Sequence, residues 1–230
     1  MSTLPAKDLR LELKFVTRDY NYSLLYNWLK HHPYNFIKEY DARIINNIYF
    51  DTLSFASFQE NAHEHNKRFK IRYRWFNKFN ASKNGFLEIK NKHNLYGWKN
   101  RFPIQDLKIS DKGKWKNIIK KLTESVPDNV KILLKSYTVP VVINQYYRSY
   151  FVSNDKKFRI TVDRYQKSFS QINSSSINIS KNCDMSDSLV LEVKFNKKEE
   201  NQVKDLLNSI PIKYSKNSKY VNAVRMSYGL

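Results

Sequence analysis

This chain has almost none of the residues on which several common architectures depend. One cysteine, Cys183, stands among 230 residues, so an internal disulfide is impossible and metal sites built on several thiolates are excluded. The only glycines are Gly85, Gly97, Gly113 and Gly229. They are too scattered for a glycine-rich phosphate loop, a kinase glycine loop or a dinucleotide fingerprint. No apolar run approaches the roughly 20 residues of a membrane-spanning helix. The opening residues, Met-Ser-Thr-Leu-Pro-Ala-Lys-Asp, lack the apolar stretch of a signal peptide. The expectation is a cytoplasmic protein in a reducing setting, whose association with a membrane, if any, is peripheral or runs through a membrane-protein partner. Acidic residues are also scarce. Against 41 Lys and Arg there are 21 Asp and Glu, a formal net charge of +20. That excess points to a polyanionic partner without choosing between nucleic acid, anionic membrane and polyphosphate.

What the chain does have is alternation. Hydrophobic residues make up 41% and aromatics 15%, enough for a packed core rather than a disordered chain. In the stretch 67–75, Arg68, Lys70, Arg72 and Arg74 alternate with Phe69, Ile71, Tyr73 and Trp75. A strand points successive side chains to opposite faces, so this segment has one apolar and one cationic face. Like charges stacked along one face repel unless an anion neutralises them. The same pattern recurs at Leu11, Leu13 and Phe15 against Glu12 and Lys14, at Leu87 and Ile89 against Glu88, Lys90 and Lys92, and at Leu191, Val193 and Phe195 against Glu192 and Lys194. Strands are predicted at about 9–16, 43–51, 67–77, 85–92, 97–104, 143–152, 157–165 and 188–195, and helices at about 19–31, 111–124, 128–136 and 199–209. Pro33 and Pro211 follow the first and last helices as stop signals. The Ser/Asn-rich stretch 170–187 reads as a loop. With no repeat and no linker, residues 1–230 are expected to form a single domain.

Amphipathic helices need apolar surface to cover, and the apolar strand faces supply it. Helices outside and charges inside imply a sheet curled around a cationic lumen; an open sheet with one wet face would show the same alternation. Most strand aromatics fall opposite the basic face, which argues against base stacking and makes nucleic acid an unlikely partner. His63-Glu64-His65 does not have the helical spacing of a zinc pair and reads as a loop.

The ordered motifs Leu-Glu-Leu-Lys-Phe (11–15), Arg43 ahead of Ile-Tyr-Phe-Asp-Thr (48–52), Arg-Phe-Lys-Ile-Arg-Tyr-Arg-Trp (68–75), Leu-Glu-Ile-Lys (87–90), Lys99-Asn-Arg101, Tyr146-Tyr-Arg148, Leu-Glu-Val-Lys-Phe (191–195) and Ser218-Lys219-Tyr220 resemble the VTC domain. This is the catalytic domain of the vacuolar transporter chaperone polyphosphate polymerases, within the triphosphate tunnel metalloenzymes. The resemblance implies an α+β fold: an eight-stranded antiparallel β-barrel, the tunnel, with helices packed outside. It implies catalytic cations at Lys14, Arg72, Arg74, Lys90, Lys99, Arg148 and Lys219. Further substrate contacts are implied at Arg43, Arg68, Lys70, Lys92, Arg101, Tyr146 and Ser218. Mn2+ or Mg2+ would be held by Glu192, with Glu12 and Glu88 as further metal candidates. The implied function is metal-dependent synthesis of polyphosphate from ATP, with ATP or another triphosphate and polyphosphate as partners. The alternatives are a triphosphatase in the same tunnel and a silent polyphosphate sensor. Two departures bear on the chemistry. Arg10 stands where the wider superfamily often has a first glutamate, and Lys92 stands where the eukaryotic polymerases can carry histidine.

Overall fold

The computed structural model describes residues 10–80, 84–94, 96–110, 112–180, 182–185 and 187–230. Its strands are β1 (Arg10–Arg18), β2 (Ile37–Asp51), β3 (Lys67–Phe76), β4 (Gly85–His93), β5 (Tyr96–Ile104), β6 (Val139–Val152), β7 (Arg159–Ser170), β8 (Asn182–Met185) and β9 (Ser188–Asn196). Eight of them form one antiparallel sheet in the order β1-β9-β7-β6-β2-β3-β4-β5, and the short β8 lies beside β7. All eight strands predicted from alternation are present, with β2, β6 and β7 longer than expected. β8 falls inside the stretch expected to be a loop. Leu9 and Asp111, predicted to open a strand and a helix, lie outside the described residues.

The convex face is apolar, and helices cover it. Phe69, Ile71, Tyr73 and Trp75 of β3 pack with Trp115, Ile118 and Leu122 of α3 (Trp115–Glu124) and Val130 and Leu134 of α4 (Asp128–Ser136). Tyr73 and Trp75 are fully buried. Full burial of such a side chain stabilises by about 1.5–3 kcal/mol. A one-residue slip would expose them and drive Arg72 and Arg74 into the apolar layer, so the register is firmly set. Gly85 supports it locally, because a Cβ there would stand 2.5 Å from the Arg74 carbonyl oxygen. On the other side, Leu25 and Leu29 of α1 (Tyr22–His31) and Val203 and Leu206 of α5 (Val203–Ser209) cover Phe15, Ile160, Val162, Leu191 and Val193. These two helices end just before Pro33 and Pro211.

Two helices without a sequence prediction, α2 (Ala56–Ala62) and α6 (Lys219–Tyr228), pack together over one end of the sheet. Asp51, at the end of β2, ties them down. Its carboxylate accepts from the Ser57 and Phe58 amides, each at 2.9 Å, and from the Tyr220 hydroxyl. Tyr220 also stacks on Tyr49 at 4.9 Å between ring centroids.

The expected barrel needs correction, because the sheet is not closed. Among the described residues no hydrogen-bonded ladder joins β1 to β5. The strands nevertheless curl until side chains from the two ends meet: Lys90 of β4 reaches Glu12 of β1 at 3.3 Å. Residues 214–217 occupy part of the free edge of β1, where Tyr214 bridges to Phe15 and the Ser215 amide donates to the Lys14 carbonyl at 3.0 Å. Alternation specifies which face a residue takes but carries no information on whether the last ladder forms.

Candidate functional site

The charged faces of the strands meet on the concave side and organise around a few carboxylates. Glu88 is completely buried. Arg72 contacts it through Nε at 2.8 Å and a terminal guanidinium nitrogen at 2.7 Å, while Arg101 stands at 3.4 Å, Lys99 at 3.6 Å and Arg74 at 3.7 Å. Burial alone would raise this carboxyl, but Arg72, Arg74 and Lys99 outweigh it and hold Glu88 far below the usual carboxylate range. Asp163 forms the second centre. Arg148 grips it with two bonds of 2.5 and 2.7 Å, and Lys219 arrives from the first turn of α6 at 2.7 Å. Burial is again overridden, here by Arg148 and Lys219, and Asp163 stays ionised.

Glu12 and Glu192 form the third centre. In the β1–β9 ladder Lys14 is paired with Glu192 and Glu12 with Lys194, so the two acids alternate with two lysines on one face. Lys14 reaches Glu12 at 3.0 Å, and Lys194 contacts Glu192 directly. Burial and the neighbouring Glu12 charge raise Glu192, but Lys194, Lys14 and Arg148 outweigh both and bring it to about 2.

The remaining cations are not balanced. Lys70 donates to the Ser218 hydroxyl at 2.8 Å and has no ion pair with a carboxylate among the described residues. Burial, then the Lys14, Lys90, Arg68 and Arg72 charges, hold it well below the ordinary lysine range. Glu12 pulls the Lys90 ammonium up, yet burial and the Lys14 and Arg72 charges leave it at about 8. Lys92, Lys99 and Arg101 are lowered too, first by burial. Depressed cations gathered on one concave surface are what an anion would relieve.

This sets a pH dependence. An anion beside Lys90 stabilises its ammonium, so binding takes up a proton above about pH 8, and tripolyphosphate affinity is expected to fall between about pH 7 and about pH 9. Without ligand the sign reverses. Between about 8 and the ordinary lysine value of about 10.4, the unfolded chain keeps a proton that folded Lys90 has lost, so this group adds folded stability as pH rises through that window. Calorimetric titrations of tripolyphosphate at several pH values, in buffers of different ionisation enthalpy, measure both affinity and proton uptake.

The structure brings Lys14, Arg72, Arg74, Lys90, Arg148, Lys219 and Tyr146 onto the same concave face. Tyr146 lies under Lys219 and Arg148, 4.9 and 5.2 Å from its ring centroid, and its hydroxyl receives Arg74 at 3.3 Å. Ser218 and Lys70 meet at the end beneath α6. Arg68 turns to the His65 carbonyl at 2.5 Å, opposite Lys92 in the ladder. Lys99 and Arg101 lean toward Glu88 from edge strand β5, and Arg43 lies at the other end. Sequence reasoning did not single out Asn47, Asn144 or Tyr49. Asn47 accepts from Arg74 Nε at 2.8 Å and donates to Asn144 at 2.8 Å, while Tyr49 receives Arg72 at 3.3 Å. Their signal was parity, since Asn47 and Tyr49 share the face of Arg43.

Glu12 and Glu192 suit a hard divalent cation: both are ionised oxygen donors on one face. No cluster of three or more His, Cys, Asp or Glu able to hold a metal occurs among the described residues. A Mg2+-type ion bound through one or two carboxylates, with water and substrate phosphates completing its shell, matches that donor set. Lysines contact Glu12 and Glu192 as well, but the Glu88 side chain has no exposed surface and is held by two Arg72 bonds, whereas a quarter of the Glu12 side chain is exposed.

A rolled antiparallel sheet, helices outside and cations inside, defines the triphosphate tunnel fold. Solved structures agree on the fold. A protein provisionally assigned as an adenylate cyclase from Vibrio parahaemolyticus superposes with a TM-score of 0.51 at 12% identity, covering 93% of this chain and 96% of that one. A provisionally assigned adenylyl cyclase from Hippeastrum, described as having a dominant triphosphatase activity, gives 0.52 at 12% identity, with 95% of each chain covered. A chain of the Schizosaccharomyces pombe Mediator head module gives 0.50 at 11% identity, covering 89% and 96%. At such identities the likeness shows the fold alone. The chain belongs to the VTC domain family, whose sequence model matches residues 9–228. No curated protein matches it by sequence. No helix among the described residues is long and apolar enough to cross a membrane.

Proposed function

We propose that the chain binds the triphosphate of ATP on its concave face and transfers the terminal phosphoryl group to the end of a polyphosphate chain. The observation that carries this reading is the set of buried or half-buried cations left without matching carboxylates, Lys70 above all. Phosphoryl transfer asks for positioning and charge neutralisation more than for covalent chemistry from the protein. In this reading Arg72, Arg74, Arg148, Lys14 and Lys219 hold the phosphates. Glu192, with Glu12, would hold Mn2+ or Mg2+, which would supply further neutralisation of charge on the transferring group. The bond between the γ-phosphorus and the bridging oxygen breaks, a terminal polyphosphate oxygen bonds to that phosphorus, and ADP leaves with the bridging oxygen. Glu88 serves as the counter-anion that fixes Arg72 and Arg101 in place. The cation row from Arg68 to Arg74 runs roughly 20 Å at strand spacing, longer than three phosphates need, which favours a polymer over triphosphate alone.

Hydrolysis is the second reading. It is favoured by α2 and α6 packing over one end, where a growing chain must pass, and by the triphosphatase activity described for the Hippeastrum relative in fold. Incubation of purified protein with ATP and Mn2+, following long-chain polyphosphate and free phosphate separately, decides between them. Polyphosphate without matching free phosphate supports transfer, and phosphate alone supports hydrolysis. Binding without either product makes the domain a sensor.

Tripolyphosphate is also expected to raise the melting temperature. At a hundredfold excess over Kd, linkage stabilises the fold by about 2.7 kcal/mol, or roughly 5–10 °C for a chain of this size. The shift should shrink steeply as salt screens the cations. A thermal scan at low and high ionic strength measures it, and no shift at low salt would count against the tunnel as an anion site.

A further inference from the structure

One polar side chain on the concave face stands without a partner among the described residues. Thr161 of β7 is paired with Glu192 of β9 on one side and with Tyr150 of β6 on the other, so the three share that face. Thr161 is 7% exposed, and its hydroxyl oxygen is buried with no hydrogen bond. Its polar neighbours are committed elsewhere. The Tyr150 hydroxyl receives Arg43 Nε at 3.2 Å. Along β7, Asp163 is held by Arg148 and Lys219, while Arg159 reaches Glu39 at 3.2 Å. Glu192 is drawn to Lys194 of its own strand. A buried hydroxyl left unpaired costs stability, and in a folded chain it calls for a cause. Strand propensity does not supply one. Valine has nearly the same shape, suits a strand equally well and would leave nothing unpaired.

We propose that Thr161 is a positioning residue for the divalent ion at Glu192, its hydroxyl accepting a hydrogen bond from a water of the ion's shell. The inference rests on the reading of Glu192 as a metal carboxylate and adds an outer partner to it. A Mg2+-type ion held by one or two carboxylates keeps several waters. Water on a cation turns its hydrogens outward and needs acceptors. The side chains around Glu192 offer few, because Lys14, Lys194 and Arg148 can only donate. Thr161 supplies an acceptor on the strand next to the glutamate. Residues directly opposed in an antiparallel pair have Cβ atoms roughly 5 Å apart, a spacing at which one water can reach both side chains. Outer partners of this kind fix the orientation of a metal's inner ligands.

The test uses the full chain and its Thr161→Val and Thr161→Ser variants. Mn2+ is titrated into each protein with tripolyphosphate bound, and the electron paramagnetic resonance signal of free Mn2+ gives its Kd. Calorimetry with chelator present measures tripolyphosphate alone, and thermal denaturation without ligand measures the fold. Thr161→Val is expected to raise the Mn2+ Kd about 10- to 100-fold, the usual loss for an outer partner, while Thr161→Ser restores it to near the wild-type value. Metal-free tripolyphosphate affinity should hold within about twofold. The melting temperature of Thr161→Val should be unchanged or higher, since it loses an unpaired hydroxyl. An unchanged Mn2+ Kd in Thr161→Val overturns the proposal and leaves Glu192 as the metal carboxylate. So does equal weakening of metal-free tripolyphosphate, which would place the hydroxyl on phosphate. A lowered melting temperature would give the hydroxyl a structural partner and overturns the proposal as well. Wild type binding Mn2+ no more tightly than free tripolyphosphate does overturns the metal reading of Glu192 and Thr161 with it.

Discussion

Glu192→Gln is expected to lower turnover of ATP with Mn2+ by at least about 100-fold while leaving tripolyphosphate binding intact or tighter. The side chain is almost fully buried and ionised, facing Lys14 across the β1–β9 ladder and contacting Lys194 two residues along its own strand. The amide keeps its size but is a poor ligand for a hard cation, and it removes one negative charge from a surface already rich in positive ones. A loss confined to kcat would mean that the carboxylate acts when charge moves in the transition state. Arg72→Ala and Arg148→Ala should differ, raising Kd as well, because they would contact phosphate before and during transfer. Steady-state kinetics joined to direct titration separates the two patterns. Full metal-dependent activity in Glu192→Gln would move the metal role to Glu12.

Asp163→Asn is expected to destabilise the fold by about 3–5 kcal/mol, the usual effect of removing one partner from a buried ion pair. At this chain length that corresponds to a drop of roughly 10 °C in Tm. Asp163 has no exposure, and both Arg148 and Lys219 depend on it. The substitution leaves two cations against a neutral amide and loosens the start of α6. Tripolyphosphate should restore more stability to this variant than to the wild type, since the released cations pair with phosphate instead. Thermal denaturation with and without ligand reads both effects. A loss under about 1 kcal/mol, as for a solvated surface pair, would show that Asp163 is not the anchor of this cluster.

Much of this architecture was legible because strand alternation is a local signal. Arg72 and Arg74 had to share a face, and Tyr73 and Trp75 had to find cover, whatever their partners. What stayed hidden depended on distant pairs. Nothing near Asp163 announces Lys219, which reaches it from another element. Nor does Asp51 reveal that it will fasten two helices, one of them near the end of the chain. Helix α2 is two turns long, and its register is set by that carboxylate rather than by an apolar stripe. The inward-facing pair Phe76 and Phe86, whose rings meet edge-on at 6.4 Å, was missed for another reason. Phe76 and Phe86 continue the parity of the cations, but as apolar residues at strand ends they do not stand out from the core. Barrel closure was over-read, since side chains and residues 214–217 bridge the seam where a ladder was expected.

The pairing of β1 also bears on how the molecule is made. Lys14 donates to the carbonyl of Asn217, 203 residues away, and the ladder partner of β1 is the last strand. During synthesis β1 emerges first and must wait for nearly the entire chain before either of its edges is occupied. Pairings of such long range form slowly and leave unpaired strands open to aggregation. Until then the six strands from β2 to β7 carry Arg72, Arg74, Lys90 and Arg148 but lack Glu12 and Glu192. A nascent chain in that state is a polycation with a free strand, open to cellular polyanions before the fold is complete.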